Sequence, residues 1–397
     1  MNIVLYTNSF LPSVGGKEIV VHYLAREFHR MGHRVRVLGP SGWFKNRRLK
    51  FGYPVHRWPT LRGFMNEVVL SWQLRMDLII FGADVIHAHN TYPCGYTVSK
   101  IGKGKPVPLV VTPHGTDIRR IPEINFGMLL DPEKAFKVKA ALDKAQILTA
   151  ISESIRKSIV EAGGDEDKII DIPNGIDLER FQCGMNLNPM ERIGLRNSPR
   201  MILSVGNYRP IKGQEILIQA MPFILNSHPD ARLVIVGRNQ EPLKQAVSAL
   251  KLEDKVILTG PIPFQNFGRK SSNDAAGRDD LLAALYRASD VYVSASLDEG
   301  AEGLSLALLD AMGAGKAVVA TDISGNRELV RHQRTGLLIP PGDSAAIAEA
   351  IAAVLDHRVL QEKLGENARM AAEGYSWENI AKQYLSVYRC AERLLKP

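Results

Sequence analysis

Four short stretches of the 397-residue chain bring carboxylates, cations and glycines together at spacings that suit chemistry. The most informative runs from Ser294 to Thr321 and contains Glu302-Gly-Leu-Ser-Leu-Ala-Leu-Leu-Asp310. A strand-like run ends, an acidic glycine-containing loop follows, and a helix begins near Leu304. Backbone N–H groups at a helix start have no intrahelical acceptor, and the helix dipole adds positive potential there. Gly303, Leu304 and Ser305 therefore form an anion site suited to a diphosphate. Glu302, ahead of the helix, is placed to accept hydrogen bonds from sugar hydroxyls, and Asp310, two turns along, from ribose hydroxyls. Taken alone, the two acids are equally an N-terminal helix acid and a solvated one.

The second stretch, Ser204-Val-Gly-Asn-Tyr-Arg-Pro-Ile-Lys-Gly213, follows a strand and opens a helix. Arg209 and Lys212 there are expected at the carboxyl edge of a sheet, where cations neutralise two phosphates and stabilise a leaving group. Two surface cations on a loop are the plainer alternative. Pro12-Ser-Val-Gly-Gly16 follows the first strand, and its Gly15 and Gly16 let backbone approach a phosphate or sugar. It is not the dinucleotide fingerprint G-x-G-x-x-G, so a nicotinamide cofactor is not inferred. Thr112-Pro-His-Gly-Thr-Asp117 ends another strand, aiming His114 at a reacting sugar. Asp117 reads as an acceptor-site carboxylate or a helix cap.

Two further patterns resemble metal sites. His87-Ala-His89 puts two imidazoles on one strand face, but no third ligand stands out nearby. Asp165-Glu-Asp167 lies in a polar turn after a helical run, where capping accounts for it better. No metal and no cofactor are expected.

These residues need scaffolding, and the rest of the chain supplies its pattern. β-Branched runs alternate with amphipathic stretches throughout, the rhythm of parallel sheets covered by helices on both faces. The first half reads as strands at residues 2–7, 34–38, 84–89, 108–112, 146–150 and 168–172, with helices at 17–31, 131–144 and 153–162. The second reads as strands at 201–205, 232–236, 255–259, 290–294, 317–321 and 336–339, with helices at 213–225, 241–250, 279–288, 304–314 and 344–355. Between them, the stretch from Cys183 to Arg200 has no period and reads as a linker. The polar stretch from Phe264 to Arg278 reads as a loop beside the second sheet. The fold class is therefore α/β, with two Rossmann-like doubly wound domains and ligands expected in a crevice outside the strands' carboxyl ends.

Length and composition agree: 397 residues at 45% hydrophobic suit two domains and a globular chain. No run of about 18 apolar residues occurs, so no helix is expected to span a bilayer. Three cysteines, Cys94, Cys183 and Cys390, have no paired spacing, which favours a reducing cytoplasm. The formal net charge is +8, unevenly spread. Between Glu27 and Glu67 there is no Asp or Glu, while Arg34, Arg36, Lys45, Arg47, Arg48, Lys50, Arg57 and Arg62 alternate with aromatic side chains. The stretch from Arg30 to Phe64 is therefore expected to meet an anionic membrane surface or an acidic acceptor. A solvated basic face over a small apolar cluster is the alternative. No nucleic-acid-binding motif accompanies the charge, so nucleic acid is not expected.

The segment from Glu302 to Asp310 resembles the Glu-x7-Glu signature of the family 4 glycosyltransferases, which have the GT-B fold. Gly15-Gly16, Met31-Gly-His-Arg-Val35, His114-Gly115, Pro173-Asn-Gly-Ile-Asp177, Lys212-Gly213, Gly325-Asn-Arg-Glu-Leu-Val330 and Gly336-Leu-Leu-Ile-Pro-Pro341 follow in the family's order, across nearly the whole chain. The resemblance implies a first domain over residues 1–185 that binds the acceptor, a second over 200–376 that binds the donor, and a C-terminal helix over about 377–397 that packs back on the first. It also implies a metal-independent, retaining transfer of a hexose or N-acetylhexosamine from a UDP or GDP sugar to a glycan or lipid-linked acceptor. The leaving phosphate would help to deprotonate that acceptor. On this basis Glu302 holds donor sugar hydroxyls and Asp310 the ribose; Lys212 and the amides at Leu304 and Ser305 hold the diphosphate; Gly16 approaches the phosphate and His114 the transferred sugar. The expected location is the cytoplasm, at the inner face of a membrane. Two features depart from the pattern: the second acid is Asp310, one methylene shorter than Glu, and the usual Arg falls nearer Asn207 than Arg209. A sugar-nucleotide epimerase or a phosphorylase on the same fold, or a non-catalytic sugar-nucleotide binder, are the alternatives. The first would need extra acid/base carboxylates and the second a pyridoxal lysine.

Overall fold

The computed structural model describes residues 1–41, 51–59, 64–101, 107–122, 125–182, 188–195, 199–263, 280–297 and 303–395. The chain divides into two compact units, Met1–Asn174 with Trp377–Pro397, and Gly175–Ser376.

In the first unit the strand and helix patterns become β1 (Asn2–Thr7), α1 (Gly16–Arg30), β2 (Arg34–Ser41), β3 (Val55–Pro59), α2 (Phe64–Phe81), β4 (Val85–His89), α3 (Tyr96–Ser99), β5 (Leu109–Thr112), α4 (Pro132–Lys144), β6 (Ile147–Ala150), α5 (Glu153–Glu161) and β7 (Ile169–Asp171). Local chemistry sets the starts. Asp131 accepts from the Glu133 and Lys134 amides, with Pro132 in the first turn of α4, and Ser152 accepts from the Ile155 amide ahead of α5. The strands form one parallel sheet in the order β3-β2-β1-β4-β5-β6-β7. Its central strands are buried along nearly their whole length, as a parallel sheet covered by helices requires.

Three of these elements, β3, α2 and the four-residue α3, fall where no element was expected. Val55–Pro59 is short and carries His56 and Arg57, so it lacks a strand's alternation. The α2 helix is apolar on more than one side: Leu74, Leu78 and Phe81 are buried while Trp72, Ile79 and Ile80 are exposed, which blurs the helical period.

The second unit continues with α6 (Pro189–Arg192), β8 (Met201–Val205), α7 (Gln214–Ser227), β9 (Arg232–Val236), α8 (Glu241–Ala249), β10 (Val256–Leu258), α9 (Leu281–Ala288), β11 (Val291–Ser294), α10 (Leu306–Gly313), β12 (Ala317–Thr321), α11 (Ser324–Arg327), β13 (Leu337–Ile339), α12 (Ser344–Asp356) and α13 (Arg358–Glu373). Its parallel sheet has the order β10-β9-β8-β11-β12-β13, and one apolar core lies on each side. The last helix, α14 (Trp377–Arg393), belongs to the first unit. There Trp377 stacks on Tyr23 with centroids 5.4 Å apart, Arg30 pairs with Glu378 at 2.7 Å, and the Tyr388 hydroxyl meets His87 Nδ1 at 2.7 Å.

The division falls earlier than the expected boundary at 185. Residues 175–182 join the second unit because its interior holds them. The Ile176 amide donates to the Tyr375 carbonyl at 2.8 Å, Phe181 meets Tyr286 edge-on, and Arg180 pairs with Asp280. The expected linker, 183–200, lies partly outside the described residues, as does the expected loop at 264–278. Strand order reverses at β1/β4 in one sheet and at β8/β11 in the other, the positions where doubly wound sheets bind ligands.

Candidate active site

In the second unit, the loop after β8 carries Arg209 and Lys212 and the loop after β11 leads to α10. The two loops are joined: the Leu297 amide donates to the Ile211 carbonyl at 2.8 Å. Gly213 makes this approach possible. Its φ is +63°, and a Cβ there would lie 1.9 Å from the Ala295 carbonyl oxygen. Arg209 is exposed at the start of the turn Pro210–Lys212, and Lys212 is half-buried at its end. The β11 loop is braced from below: Thr321 Oγ1 donates to the Ser296 carbonyl at 2.6 Å, and buried Asn326 Nδ2 donates to the Thr321 carbonyl at 2.9 Å.

Ser305 caps α10, its hydroxyl accepting from the Leu308 amide at 3.4 Å. The Leu306 and Ala307 amides have no helical acceptor and stand as donors at the helix start, next to Gly303 and Leu304. Glu302 lies outside the described residues. Asp310 is in the second turn of α10 and is not simply a solvated acid. Its Oδ2 accepts from Arg180 Nη1 at 3.1 Å, and Arg180 also grips Asp280 through Nε (2.6 Å) and Nη2 (3.0 Å). Burial pushes the Asp310 carboxyl up to about 6; Arg180 opposes the shift, while Asp280 and Asp177 add to it. Arg180 and Asp280 were absent from the sequence reading. They are 100 residues apart, and no local pattern links them.

In the first unit, Gly15 is the residue before α1, and a Cβ there would lie 2.5 Å from the Glu18 carboxylate. Gly16 is the first residue of the helix. Glu18 is in turn bonded by Ser9, and Lys17 by Asn8, which folds the β1 loop over the helix start. Lys17 also went unread; its one signal is that it follows Gly16. His114 follows β5. Its Nε2 meets His89 Nδ1 at 3.1 Å, and burial, reinforced by Lys17 and His87, holds its imidazole well below the ordinary histidine range. A neutral ring at neutral pH follows.

Asp117 lies in a turn rather than at a helix start, and its side chain is turned into the fold. It is 0% exposed, and its oxygens accept from the Thr91 amide (2.7 Å) and the His114 amide (2.9 Å). A buried carboxylate that accepts from two backbone donors ties the β4 and β5 loops together. In the His87-Ala-His89 pair, His87 is held by the fold. His87 meets Tyr388 and Thr112 through its two nitrogens, and burial pushes its imidazole down to about 3. Asp165 caps the turn Glu166–Lys168 by accepting from the Asp167 amide.

The chain is similar to known proteins. Residues 14–180 match the family described as Glycosyltransferase Family 4, and residues 199–357 match Glycosyl transferases group 1. An uncharacterised glycosyltransferase of Methanocaldococcus jannaschii is 30% identical over 100% of both chains. A phosphatidyl-myo-inositol mannosyltransferase of Mycobacterium leprae is 28% identical over 94% of this chain and 92% of its own. Among solved structures, the HepE protein of Anabaena in complex with UDP superposes with a TM-score of 0.75 at 20% identity, covering 98% of this chain and 100% of its own. With its two Rossmann-like units of the GT-B type, the chain belongs to the family 4 glycosyltransferases.

Proposed function

We propose that the enzyme transfers a hexose or N-acetylhexosamine, with retention and without a metal, from a UDP or GDP sugar to a glycan or lipid-linked acceptor. One observation carries the donor half: the Lys212–Gly213 turn is bonded to the β11 loop that leads into the capped start of α10. A cation and the amides of a helix start on joined loops suit a diphosphate leaving group, which they stabilise as its charge grows. Lys212 and the amides around Leu304 and Ser305 bind the diphosphate, with Arg209 at its edge. Glu302 holds the sugar and Asp310 the ribose. In the first unit Gly15 and Gly16 offer close backbone approach, and His114, kept neutral by burial, contacts the transferred sugar. UDP bound to the HepE protein favours a uridine donor, and the mannosyltransferase named for phosphatidyl-myo-inositol favours a lipid-linked acceptor.

The test is a thermal-shift series with UDP, GDP, ADP and dTDP sugars, followed by transfer to lipid-linked acceptors. One donor is expected to raise Tm in the wild type, because ligand bound only by the folded state stabilises it by mass action. Lys212→Met is expected to weaken that donor about tenfold or more, the scale of a lost charge-assisted contact. No shift with any nucleotide, or an unchanged shift in Lys212→Met, would overturn the assignment. A shift without turnover on any acceptor would leave a binder and not an enzyme of this specificity.

For location, we propose the cytoplasmic face of a membrane, held peripherally through an anionic surface. Of the expected basic stretch from Arg30 to Phe64, residues 42–50 and 60–63 lie outside the described residues; within the rest, Arg36 pairs with Asp77 at 2.8 Å and Arg57 donates to the Leu11 carbonyl at 2.7 Å, so these two cations are held by the fold. The described support is α2 beside it, where Trp72, Met76, Ile79 and Ile80 form an exposed apolar stripe (64% exposed at Trp72, 72% at Ile80). Arg34, exposed, lies over the Phe81 ring at the end of that helix.

A further inference from the structure

We propose that Arg180, anchored by Asp280, is a positioning residue that sets the orientation and charge of Asp310 for the nucleotide ribose. The inference rests on the reading of Asp310 as a ribose acceptor and adds how this chain makes its shortened acid fit that task.

The geometry is a one-ended clamp. Arg180 and Asp280 are 6% and 5% exposed, and their bidentate contact fixes the guanidinium plane; Asp310, the third member, is 22% exposed. Asp280 is itself immobilised as the cap of α9, its Oδ1 accepting from the Ala283 amide at 3.0 Å. Arg180 sits in the turn Leu178–Phe181, next to Phe181, which is packed on Tyr286. From that fixed base one Arg180 nitrogen holds Asp310 Oδ2. The other carboxylate oxygen remains to accept from a ribose hydroxyl.

Charge matters as much as direction. A carboxylate accepts from two hydroxyl groups better than a carboxylic acid, which must itself donate. Among the described residues, the charged groups that act on Asp310 are Arg180, Asp280 and Asp177, with the Tyr286 phenol beside them. Burial and the two neighbouring acids favour the protonated form; among these groups Arg180 opposes them, and it keeps Asp310 ionised at neutral pH. A longer Glu side chain could reach away from the two neighbouring acids. Asp310 cannot, and Arg180 compensates.

The experiment measures the affinity of UDP and of 2′-deoxy-UDP by titration calorimetry between pH 5 and pH 8.5, with GDP and 2′-deoxy-GDP used instead if GDP raises Tm more. Each pair shares a diphosphate, so its titration cancels in the affinity ratio, which reports the ribose contact alone. In the wild type the ratio is expected to be about tenfold at high pH and to fall towards one as pH drops through about 6. In Arg180→Met the fall moves to higher pH, so discrimination at pH 7 is largely lost. That variant leaves two buried acids without their cation, so Arg180→Met/Asp280→Asn is measured beside it. There Asn keeps the α9 cap and no lone charge remains at position 280, and the fall lies between those of Arg180→Met and the wild type. Arg180→Lys restores it towards the wild-type position. If the folded double variant discriminates with the wild-type pH dependence, Arg180 is a fold element only and the proposal is wrong. If the wild type shows no discrimination at any pH, or Asp310→Ala leaves it intact, the ribose reading itself fails, and the proposal with it.

Discussion

At Asp310, the proposed ribose acceptor, burial makes the folded protein sensitive to pH. The carboxyl titrates near 6 in the fold against 3.8 for the ordinary side chain. Between those values the native state holds a proton that the unfolded state has lost, so this residue's contribution to stability falls as pH rises through the window from about 4 to about 6. Asp310→Asn is therefore expected to raise Tm at pH 7.5, by roughly 1–3 kcal/mol of stability, and to change it little at pH 4. Thermal denaturation at the two pH values checks this; equal shifts at both would contradict the assignment. A gain in stability coupled to a loss of ribose discrimination would mark a site where binding is held at the expense of the fold.

Among the elements, the β4 and β5 loops depend on a single carboxylate. Asp117 accepts the Thr91 and His114 amides and also the Thr91 hydroxyl at 3.1 Å, all in a buried setting. Asp117→Ala leaves those donors unpaired and is expected to cost about 2–4 kcal/mol, read as a lower urea midpoint with unchanged slope. Asp117→Asn keeps one acceptor but turns an NH2 towards a backbone donor, so it is expected to recover only part of the loss. Full recovery would mean that one hydrogen bond, not two, ties the loops. Because the His114 amide is one of the two, both variants also displace His114 and reduce turnover. The start of α10 is a second such dependence. Ser305→Ala removes its cap and is expected to cost about 1 kcal/mol.

For the whole molecule, the chain must return 200 residues later to finish its first unit, whose core α14 completes. Trp377 and Tyr388 are buried there against Tyr23, Phe28 and His87. Trp377→Ala is expected to cost about 3–5 kcal/mol, the range for a large aromatic removed from a core. Hydrogen exchange should show the loss in α1 and β4 and spare the second unit; a loss confined to the second unit would contradict the division. The α2 stripe gives the second prediction at this scale. Trp72→Ser/Ile79→Ser/Ile80→Ser is expected to abolish sedimentation with vesicles of anionic lipid at low salt while leaving Tm nearly unchanged. Retained binding would remove α2 from the membrane reading.

Periodicity alone marked eleven of the thirteen strand positions to within a residue or two and failed only at β3 and at the end of β2. Buried parallel strands and capped helices are written in neighbouring residues, so β-branched runs, Asp131, Ser152 and Ser305 announce them locally. Gly213 and Lys212 were legible for the same reason, since a turn between a strand and a helix is a local event. The helix α2 was not, because its apolar residues serve two faces, one inward and one outward. What a carboxylate does was also hidden. Asp117 and Asp310 look alike in sequence, yet one is consumed by two backbone amides and the other is clamped by an arginine 130 residues away. The sequence determined which residues stand at the carboxyl ends of the strands, because secondary structure depends on near neighbours. Only the tertiary structure decided which of those charges are spent on the fold and which stay partly open, because burial and long-range partners set the free energy of a charge.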